Sequence, residues 1–315
     1  MKAFGVLDYG SSFIKYALVS DSKAQTMFEL PLSEEGCFQS IGAYFKANQV
    51  SKIFIFVNGS EFEVKNIKLN SKNASEGMFL EAEKILSDLS GPNSFYVKYN
   101  RYQKGISLYS FKSDLKANFN DAFNDFELVF LPEELGLLNL TNNKYLVFDI
   151  GHKSSSLISV FLDRIGEKDI YPMGFANFLE TIQELTSLNA ERSFDLAMDY
   201  LKHPKTLNSR QLELVSEAAR KFSRNLTDAV FHNQLSGKQV LILTGGGSFI
   251  PELVQKLYEL DLFDIMHLSD LLNSNTVIFN NLKSYVKFIL NQKESNNIIE
   301  EKLNKLLKVY NLNSN

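Results

Sequence analysis

The sequence predicts an α/β protein of two lobes, with a small α+β subdomain inserted into the first. Apolar runs that read as buried strands enter glycine turns at three places: Phe4-Gly-Val-Leu-Asp8-Tyr-Gly10-Ser11-Ser12-Phe-Ile-Lys15, Tyr145-Leu-Val-Phe-Asp149-Ile-Gly151-His-Lys-Ser154-Ser155-Ser156, and Val240-Leu-Ile-Leu-Thr244-Gly245-Gly246-Gly247-Ser248. Asp8 and Asp149 stand at the ends of the first two runs, each two positions ahead of a glycine. Between 58 and 125 the pattern changes to short alternating stretches around one amphipathic segment, as a small α+β unit requires.

Taken in order, the first run and 16–19 form a hairpin, and 36–48 carries helix-spaced Ile41, Tyr44 and Phe45 ahead of a buried strand at 52–57. In the insert, 62–69 reads as extended, 76–89 as an amphipathic helix, and 95–99 and 106–111 as strands. The strand at 128–131 returns to the first lobe. Pro132, Glu133 and Glu134 then suit a helix start, because the first turn leaves N–H groups unpaired and its positive end favours acids.

Beyond the second glycine turn, 176–201 and 209–235 read as helical regions. The second has Leu212, Val215, Ala219, Phe222, Leu226 and Val230 on one face. Pro251 opens a helix at 251–260, and 276–290 closes the core. From Asn291 the chain is rich in Asn, Lys and Glu, with Ile299, Leu303, Leu306 and Tyr310 drawing one apolar stripe that needs a partner surface. The domains follow: 1–52 is the first lobe, completed by 126–143 and 277–290; 53–125 is the insert; 144–276 is the second lobe with a helical block at 176–236; 291–315 is an amphipathic tail.

Composition narrows the function. At 315 residues and 44% hydrophobic the chain can bury the cores of two domains. With 33 basic against 37 acidic side chains, nothing points to nucleic acid as a partner. The lone Cys37 fits a reducing compartment and reads as a small buried residue. No basic leader opens the sequence, and no run approaches the roughly 18–20 apolar residues of a membrane span. His152, His203, His232 and His267 lack metal-ligand spacing, and neither a Gly-x-Ser-x-Gly elbow nor a Walker-type loop is present.

The glycine turns themselves suit phosphate. Their backbone N–H groups and serine hydroxyls can cradle its oxygens, and two carboxylates can hold Mg²⁺ through water, since that ion prefers oxygen and keeps part of its hydration shell. Lys15, seven residues after Asp8, adds a point charge.

In order and separation the three strings resemble those of the actin-like ATPase superfamily, whose fold is ribonuclease H-like and two-lobed. Asp8-Tyr-Gly10-Ser11-Ser12-Phe-Ile-Lys15 looks like phosphate loop one, Asp149-Ile-Gly151-His-Lys-Ser154-Ser155 like phosphate loop two, and Gly245-Gly246-Gly247-Ser248-Phe-Ile-Pro251 like the adenosine loop. The resemblance implies ATP and Mg²⁺ as ligands. Asp8 and Asp149 would hold the metal; Gly10, Ser11, Ser12, Lys15, Gly151, Ser154 and Ser155 would face phosphates; Gly245, Gly246, Gly247 and Ser248 would flank the ribose and adenine. Arg220 and Lys221, three and four residues after Glu217, match positions where the superfamily often lays cationic stems on the adenine, and a solvated helix face accounts for them equally. Glu133, with Glu134 as its rival, would orient the attacking water, or would simply satisfy the helix dipole.

The insert looks like that of the PilM/FtsA branch. Val57-Asn-Gly-Ser-Glu-Phe-Glu-Val-Lys-Asn-Ile-Lys-Leu69 followed by Phe79-Leu-Glu-Ala-Glu83 resembles the PilM pattern of a strand pair leading into a helix with paired acids. The resemblance covers roughly 1–290. It implies a cytoplasmic ATP-binding adaptor of a type IV pilus or related secretion machine. Such a protein sits peripherally at the inner face of the inner membrane and grips the short N-terminal peptide of a bitopic partner of PilN type. Self-association stays open. Two departures, Ser156 in place of a second Asp and Met173-Gly174-Phe175 in place of a Gly-Gly, imply an ATPase activity that is weak or absent. Two other readings remain at this stage. One is an FtsA-like membrane-associated filament protein; the other is a small-molecule kinase, whose second helical block would offer only Asp195 and Asp199 for catalysis.

Overall fold

A computed structural model of the chain describes residues 3–10, 12–21, 23–57, 62–68, 94–100, 105–111, 117, 119, 122–138, 140–141, 144–161, 164–231, 238–272 and 279–294. They fall into two compact units, one within 1–138 and 281–315, the other within 139–280.

The first unit is built on a five-stranded sheet of order β3-β2-β1-β4-β8, with β1 at Phe4–Tyr9, β2 at Phe13–Ser20, β3 at Lys23–Pro31, β4 at Lys52–Val57 and β8 at Glu127–Pro132. Strands β1, β2 and β3 form an antiparallel meander, while β4 and β8 run parallel to β1. Helix α1 at Cys37–Ala47 lies on one face, where Gly5 lets the Phe45 ring close on β1: an added Cβ would stand 2.7 Å from it. The insert forms its own antiparallel sheet of order β5-β7-β6, from Phe62–Lys68, Gly105–Phe111 and Ser94–Asn100. Phe62 meets Phe111 at 5.7 Å between ring centroids, Phe111 meets Phe130 at 6.1 Å, Phe130 meets Phe119 at 5.7 Å, and Phe119 meets Tyr9 at 5.2 Å. An aromatic series therefore fastens the insert to β8 and to the end of β1.

The second unit repeats the plan. Its sheet has the order β11-β10-β9-β12-β13, with β9 at Tyr145–Ile150, β10 at Ser155–Phe161, β11 at Arg164–Tyr171, β12 at Gln239–Thr244 and β13 at Phe263–His267. The same meander is followed by the same parallel pair. One face is covered by α2 at Phe175–Thr186, α3 at Ala190–Lys202, α4 at Ser209–Val230 and α5 at Pro251–Glu259. Phe178, Ile182, Val215, Ala219, Leu226 and Leu253 from these helices are buried with Leu146, Phe148 and Leu241 of the strands. A single helical turn, α6 at Leu268–Leu271, follows β13.

The last helix, α7 at Asn280–Glu294, belongs almost wholly to the first unit. Its Tyr285 lies flat on Phe56 at 4.0 Å, and Phe288 meets the same ring edge-on. Alternation along the strands puts Asp8 and Phe56, which pair in register, on this face and Tyr9 on the α1 face.

Several sequence readings are corrected. Pro132 ends β8 rather than opening a helix, and only a 3-10 turn at Glu133–Leu137 follows, because Leu138 returns to an extended conformation. The region 176–201 is two helices, broken where Ser187 adopts φ 58°. Strands β3, β11 and β13 were not foreseen. The expected helix at 76–89, the pattern at 79–83, residues 232–235 and 276–278, and the tail stripe of Ile299, Leu303, Leu306 and Tyr310 lie outside the described residues. Among the described residues no helix is long and apolar enough to cross a membrane.

Gly136 lies directly against α7: a Cβ there would stand 2.2 Å from the Tyr285 ring, which also stacks on Phe56. Gly136→Ala is expected to cost about 1–3 kcal/mol and to lower the melting temperature by several degrees, as overpacking does. Calorimetric melting checks this. An unchanged melt would mean that the ring moves aside freely.

Candidate functional site

Each unit carries the same hairpin at the carboxyl edge of its central strand. In the first, Asp8 pairs with Lys15 and Tyr9 with Ile14; in the second, Asp149 pairs with Ser156 and Ile150 with Ser155. The turn between them closes identically. The Gly10 N–H donates to the Phe13 carbonyl at 3.2 Å, and the Gly151 N–H donates to the Ser154 carbonyl at 3.0 Å. Both glycines bring their Cα against that carbonyl, where a Cβ would stand only 2.9 Å away. Glycine at these two positions is therefore required by the turn itself.

Asp8 is 9% exposed. Burial is the main reason its pKa is pushed up to about 6; Lys15 opposes the shift, and Glu133 and Glu29 add to it. Lys15 stands between Asp8 on β1 and Glu29 on β3 in one cross-strand row. Glu133 is half-buried in the turn after β8, close enough for its charge to be felt at Asp8. Glu134, its rival, is 3% exposed and so lies within the core of the turn. A buried carboxylate flanked by two other acids suits a cation, and Mg²⁺ is ordinarily held by one or two carboxylates with phosphate oxygens and water. Among the described residues no group of three or more His, Cys, Asp or Glu could hold a metal by itself.

In the second unit loop two is held from two sides. The N–H groups of Phe175 and Ala176, at the start of α2, donate to the carbonyls of Gly151 and His152 at 2.9 and 2.8 Å. Gly174 sits directly on the loop: a Cβ would stand 2.6 Å from the His152 carbonyl and 2.7 Å from the Ser154 nitrogen. The Gly174 N–H is taken by the Asn177 side chain, and the Ser155 hydroxyl donates to the Met173 carbonyl at 2.6 Å. The string Met173-Gly174-Phe175 thus retains the one glycine the packing needs. On the other side the adenosine-type loop lies against the end of β9. Gly245, at φ 81°, would bring a Cβ to 2.3 Å from the Ile150 carbonyl and 2.5 Å from Asp149 Oδ1, and Gly247 would clash with the Ile150 side chain at 2.2 Å. Gly246 alone is exposed, with no atom within 4 Å of where its Cβ would be.

The remaining sequence-picked residues are distributed as follows. Ser12 is half-buried, and its carbonyl accepts the Leu32 N–H; Ser154 is exposed at the loop tip. Ser11 lies outside the described residues. Ser248 is buried, with its hydroxyl donating to the Gly245 carbonyl at 2.7 Å, so it closes the glycine turn. Glu217, Arg220 and Lys221 are exposed on α4, and Lys221 pairs with Glu184 of α2 at 3.2 Å. The charge of Arg220 reaches Tyr200, whose hydroxyl donates to Glu252 at the start of α5. The sequence reading did not single out Asn177, Phe249 or His267. Gly174 entered the sequence reading only within Met173-Gly174-Phe175, as a departure from an expected Gly-Gly, and its contact with loop two was not read.

Two predictions follow from this geometry. Between pH 4 and 6 native Asp8 keeps a proton that the unfolded chain has lost, so stability falls as pH rises through that window, and the full cost is present at pH 7. Asp8→Asn is therefore expected to stabilise the ligand-free protein at pH 7 by up to about 3 kcal/mol, with the advantage vanishing near pH 4. Denaturation across that pH range tests it. For the glycine loop, Gly246→Ala should leave the melting temperature unchanged, while Gly245→Ala and Gly247→Ala each destabilise by about 1–3 kcal/mol; equal effects at all three positions would contradict the packing described.

No family model matches the chain, and no curated protein matches it. Solved structures do. The chain is similar to the "PilM-PilN type IV pilus biogenesis complex", with a TM-score of 0.61 and 15% identity over 92% of this chain and 98% of that one. It is similar to the ethanolamine utilization protein EutJ from Carboxydothermus hydrogenoformans, with a TM-score of 0.54 and 9% identity over 91% and 89% of the two chains. It is also similar to the activator of the 2-hydroxyisocaproyl-CoA dehydratase from Clostridium difficile with bound ADPNP, with a TM-score of 0.51 and 9% identity over 93% and 96%. With its duplicated sheets and paired glycine hairpins, the chain has the two-lobed actin-like ATPase fold.

Proposed function

We propose that this chain is an ATP-binding adaptor of a type IV pilus or related secretion machine, which grips a short cytoplasmic peptide of an inner-membrane partner under nucleotide control. The observation that carries the nucleotide half is the repeated hairpin. Two strands carry an aspartate as their last residue but one, a glycine turn of one geometry follows each, and the third loop, with its one open glycine, lies against the second. The ADPNP bound to the similar dehydratase activator supports the same reading. Asp8 and Asp149 would hold hydrated Mg²⁺, which would neutralise phosphate charge; Gly10, Ser12, Lys15, Gly151 and Ser154 would meet the phosphates, and Gly246 the nucleoside.

The similarity to the PilM-PilN complex supports the partner half, in which a bitopic protein of PilN type recruits the chain to the inner face of the inner membrane. Nucleotide contacts shift a population toward the peptide-binding conformation. Slow or absent hydrolysis follows from the hairpins themselves. Across from Asp8 stands the cation Lys15, whereas across from Asp149 stands only Ser156, a buried hydroxyl that offers no carboxylate to a metal or a water. Phosphoryl transfer depends on positioned charge, so this loss falls on rate more than on binding.

Titration calorimetry with ATP and ADP in Mg²⁺ is expected to show binding that Asp8→Ala weakens at least tenfold, or about 1.4 kcal/mol. A pull-down with the N-terminal peptide of the neighbouring inner-membrane protein is expected to depend on nucleotide. Silence in the calorimeter would remove the nucleotide half, and capture of the peptide regardless of nucleotide would remove the control.

A further inference from the structure

The two units repeat one sheet plan, and in each the third strand of the meander is an open edge: β3 in the first, β11 in the second. An open edge offers unpaired backbone groups to another chain, and proteins ordinarily blunt it with charge. β11 follows that rule, with Arg164, Glu167, Lys168 and Asp169 among its eight residues. β3 does not. From Ala24 to Pro31 its only charged residue is Glu29, and Phe28 stands 40% exposed at the rim. The Phe28 ring is stacked on Tyr16 at 5.2 Å and meets Tyr44 of α1 edge-on at 5.3 Å, and the rest of its surface is open. The backbone limits which part of this edge can pair. The Leu32 N–H donates to the Ser12 carbonyl at 2.9 Å, and β3 pairs with β2 residue for residue from Pro31 back to Thr26. By alternation Leu30, Phe28 and Thr26 spend their backbone groups on β2, while Glu29 and Met27 point theirs outward. At one end Pro31 has no N–H to give; at the other the register slips at Gln25, which has no Cα partner on β2. The pairable stretch is therefore Thr26 to Leu30, and Phe28 is its midpoint.

A segment bounded equally about one residue fits a two-fold axis through that residue. We infer that β3 is a homodimer interface, pairing antiparallel with β3 of a second copy about Phe28, so that one sheet runs from β8 of one copy to β8 of the other. In this register Met27 of each copy exchanges both backbone hydrogen bonds with Glu29 of the other. The two Phe28 residues form the non-hydrogen-bonded pair between them, where side chains are closest. Charge selects this axis over its neighbours. An axis through Glu29 would set that carboxylate against its own copy and Met27 against Pro31, and one through Met27 would set Glu29 against the slipped Gln25. About Phe28 each Glu29 instead faces an apolar Met27. The insert is fastened at the far edge, where Phe111 meets Phe130 of β8, so the pairing leaves both inserts uncovered. The inference does not depend on the nucleotide reading.

Sedimentation velocity on the full chain from about 1 to about 500 µM is expected to show a monomer–dimer equilibrium in the micromolar range, as a small interface gives. Phe28→Lys and Phe28→Glu each set like charges opposite one another at the axis and should weaken dimerisation at least about tenfold. Mixed in equal amounts, the two variants should recover a dimer, because each axis pair then joins a lysine to a glutamate. Recovery separates a lost contact from a lost fold. Phe28→Cys is a gentler probe: in the paired register the two Cα atoms stand about 4.5 Å apart, within disulfide reach. Mild oxidation should therefore link two copies of Phe28→Cys and leave Lys23→Cys, outside the pairable stretch, unlinked. A wild-type chain that stays monomeric throughout would overturn the inference and mean that the slipped register and the proline close the edge. A dimer that survives both charged variants, or a Phe28→Cys chain that links no better than Lys23→Cys, would overturn it as well.

Discussion

A carbonyl oxygen lying 2.9 Å from where a Cβ would be is the constraint from which the loop geometry follows, because it admits only glycine at position 10 in one unit and at position 151 in the other. The turn it permits reverses the chain over four residues and keeps the strand pairing intact up to the glycine, so that the aspartate two positions earlier is fixed by the sheet. A longer or looser turn would leave Asp8 and Asp149 on mobile chain. Here each is held by cross-strand pairing on one side and a parallel neighbour on the other. The carboxylates are thus positioned by the sheet itself, as the proposed charge-dependent site needs.

The second unit extends that constraint into a stack of three backbones. Loop two lies between the start of α2, which reaches it through Gly174, and the glycine loop, which reaches it through Gly245 and Gly247. The N–H groups of Phe175 and Ala176 are spent on loop carbonyls. A helix start that would otherwise offer donors to an anion is used here to hold the loop. Loop two is therefore held on its helix side by two backbone hydrogen bonds, at the expense of donors that would otherwise be open to an anion.

The first unit keeps its charged residue in tension. Asp8 is buried beside Glu29 and Glu133, with Lys15 as the opposing charge, and its carboxyl holds a proton to about pH 6. Nothing in the packing of Phe56 and Tyr285 requires an acid at that position. A carboxylate buried at such a desolvation cost is a candidate ligand position. On the opposite face of β1, Tyr9 starts the aromatic series that runs through Phe119, Phe130 and Phe111 to Phe62 in the insert. The first hairpin and the inserted sheet thus share one continuous packed core.

The sequence alone determined the central strands of the two sheets and the three glycine loops they enter. Buried strands ending in Asp-x-Gly, and a triple glycine behind another apolar run, are local patterns that need no partner to be read. It also determined most helices, because amphipathic spacing is local too. Edge strands such as β3 at Lys23–Pro31 escaped, since their side chains are largely exposed and carry little apolar alternation. What only the tertiary structure decided is which glycines are packed and which is open, that Ser155 and Ser248 tie their own loops, and that Phe249 meets His267 across 18 residues of chain. Those facts depend on how distant backbones approach one another, and close approach between segments far apart in sequence leaves no periodicity in either of them.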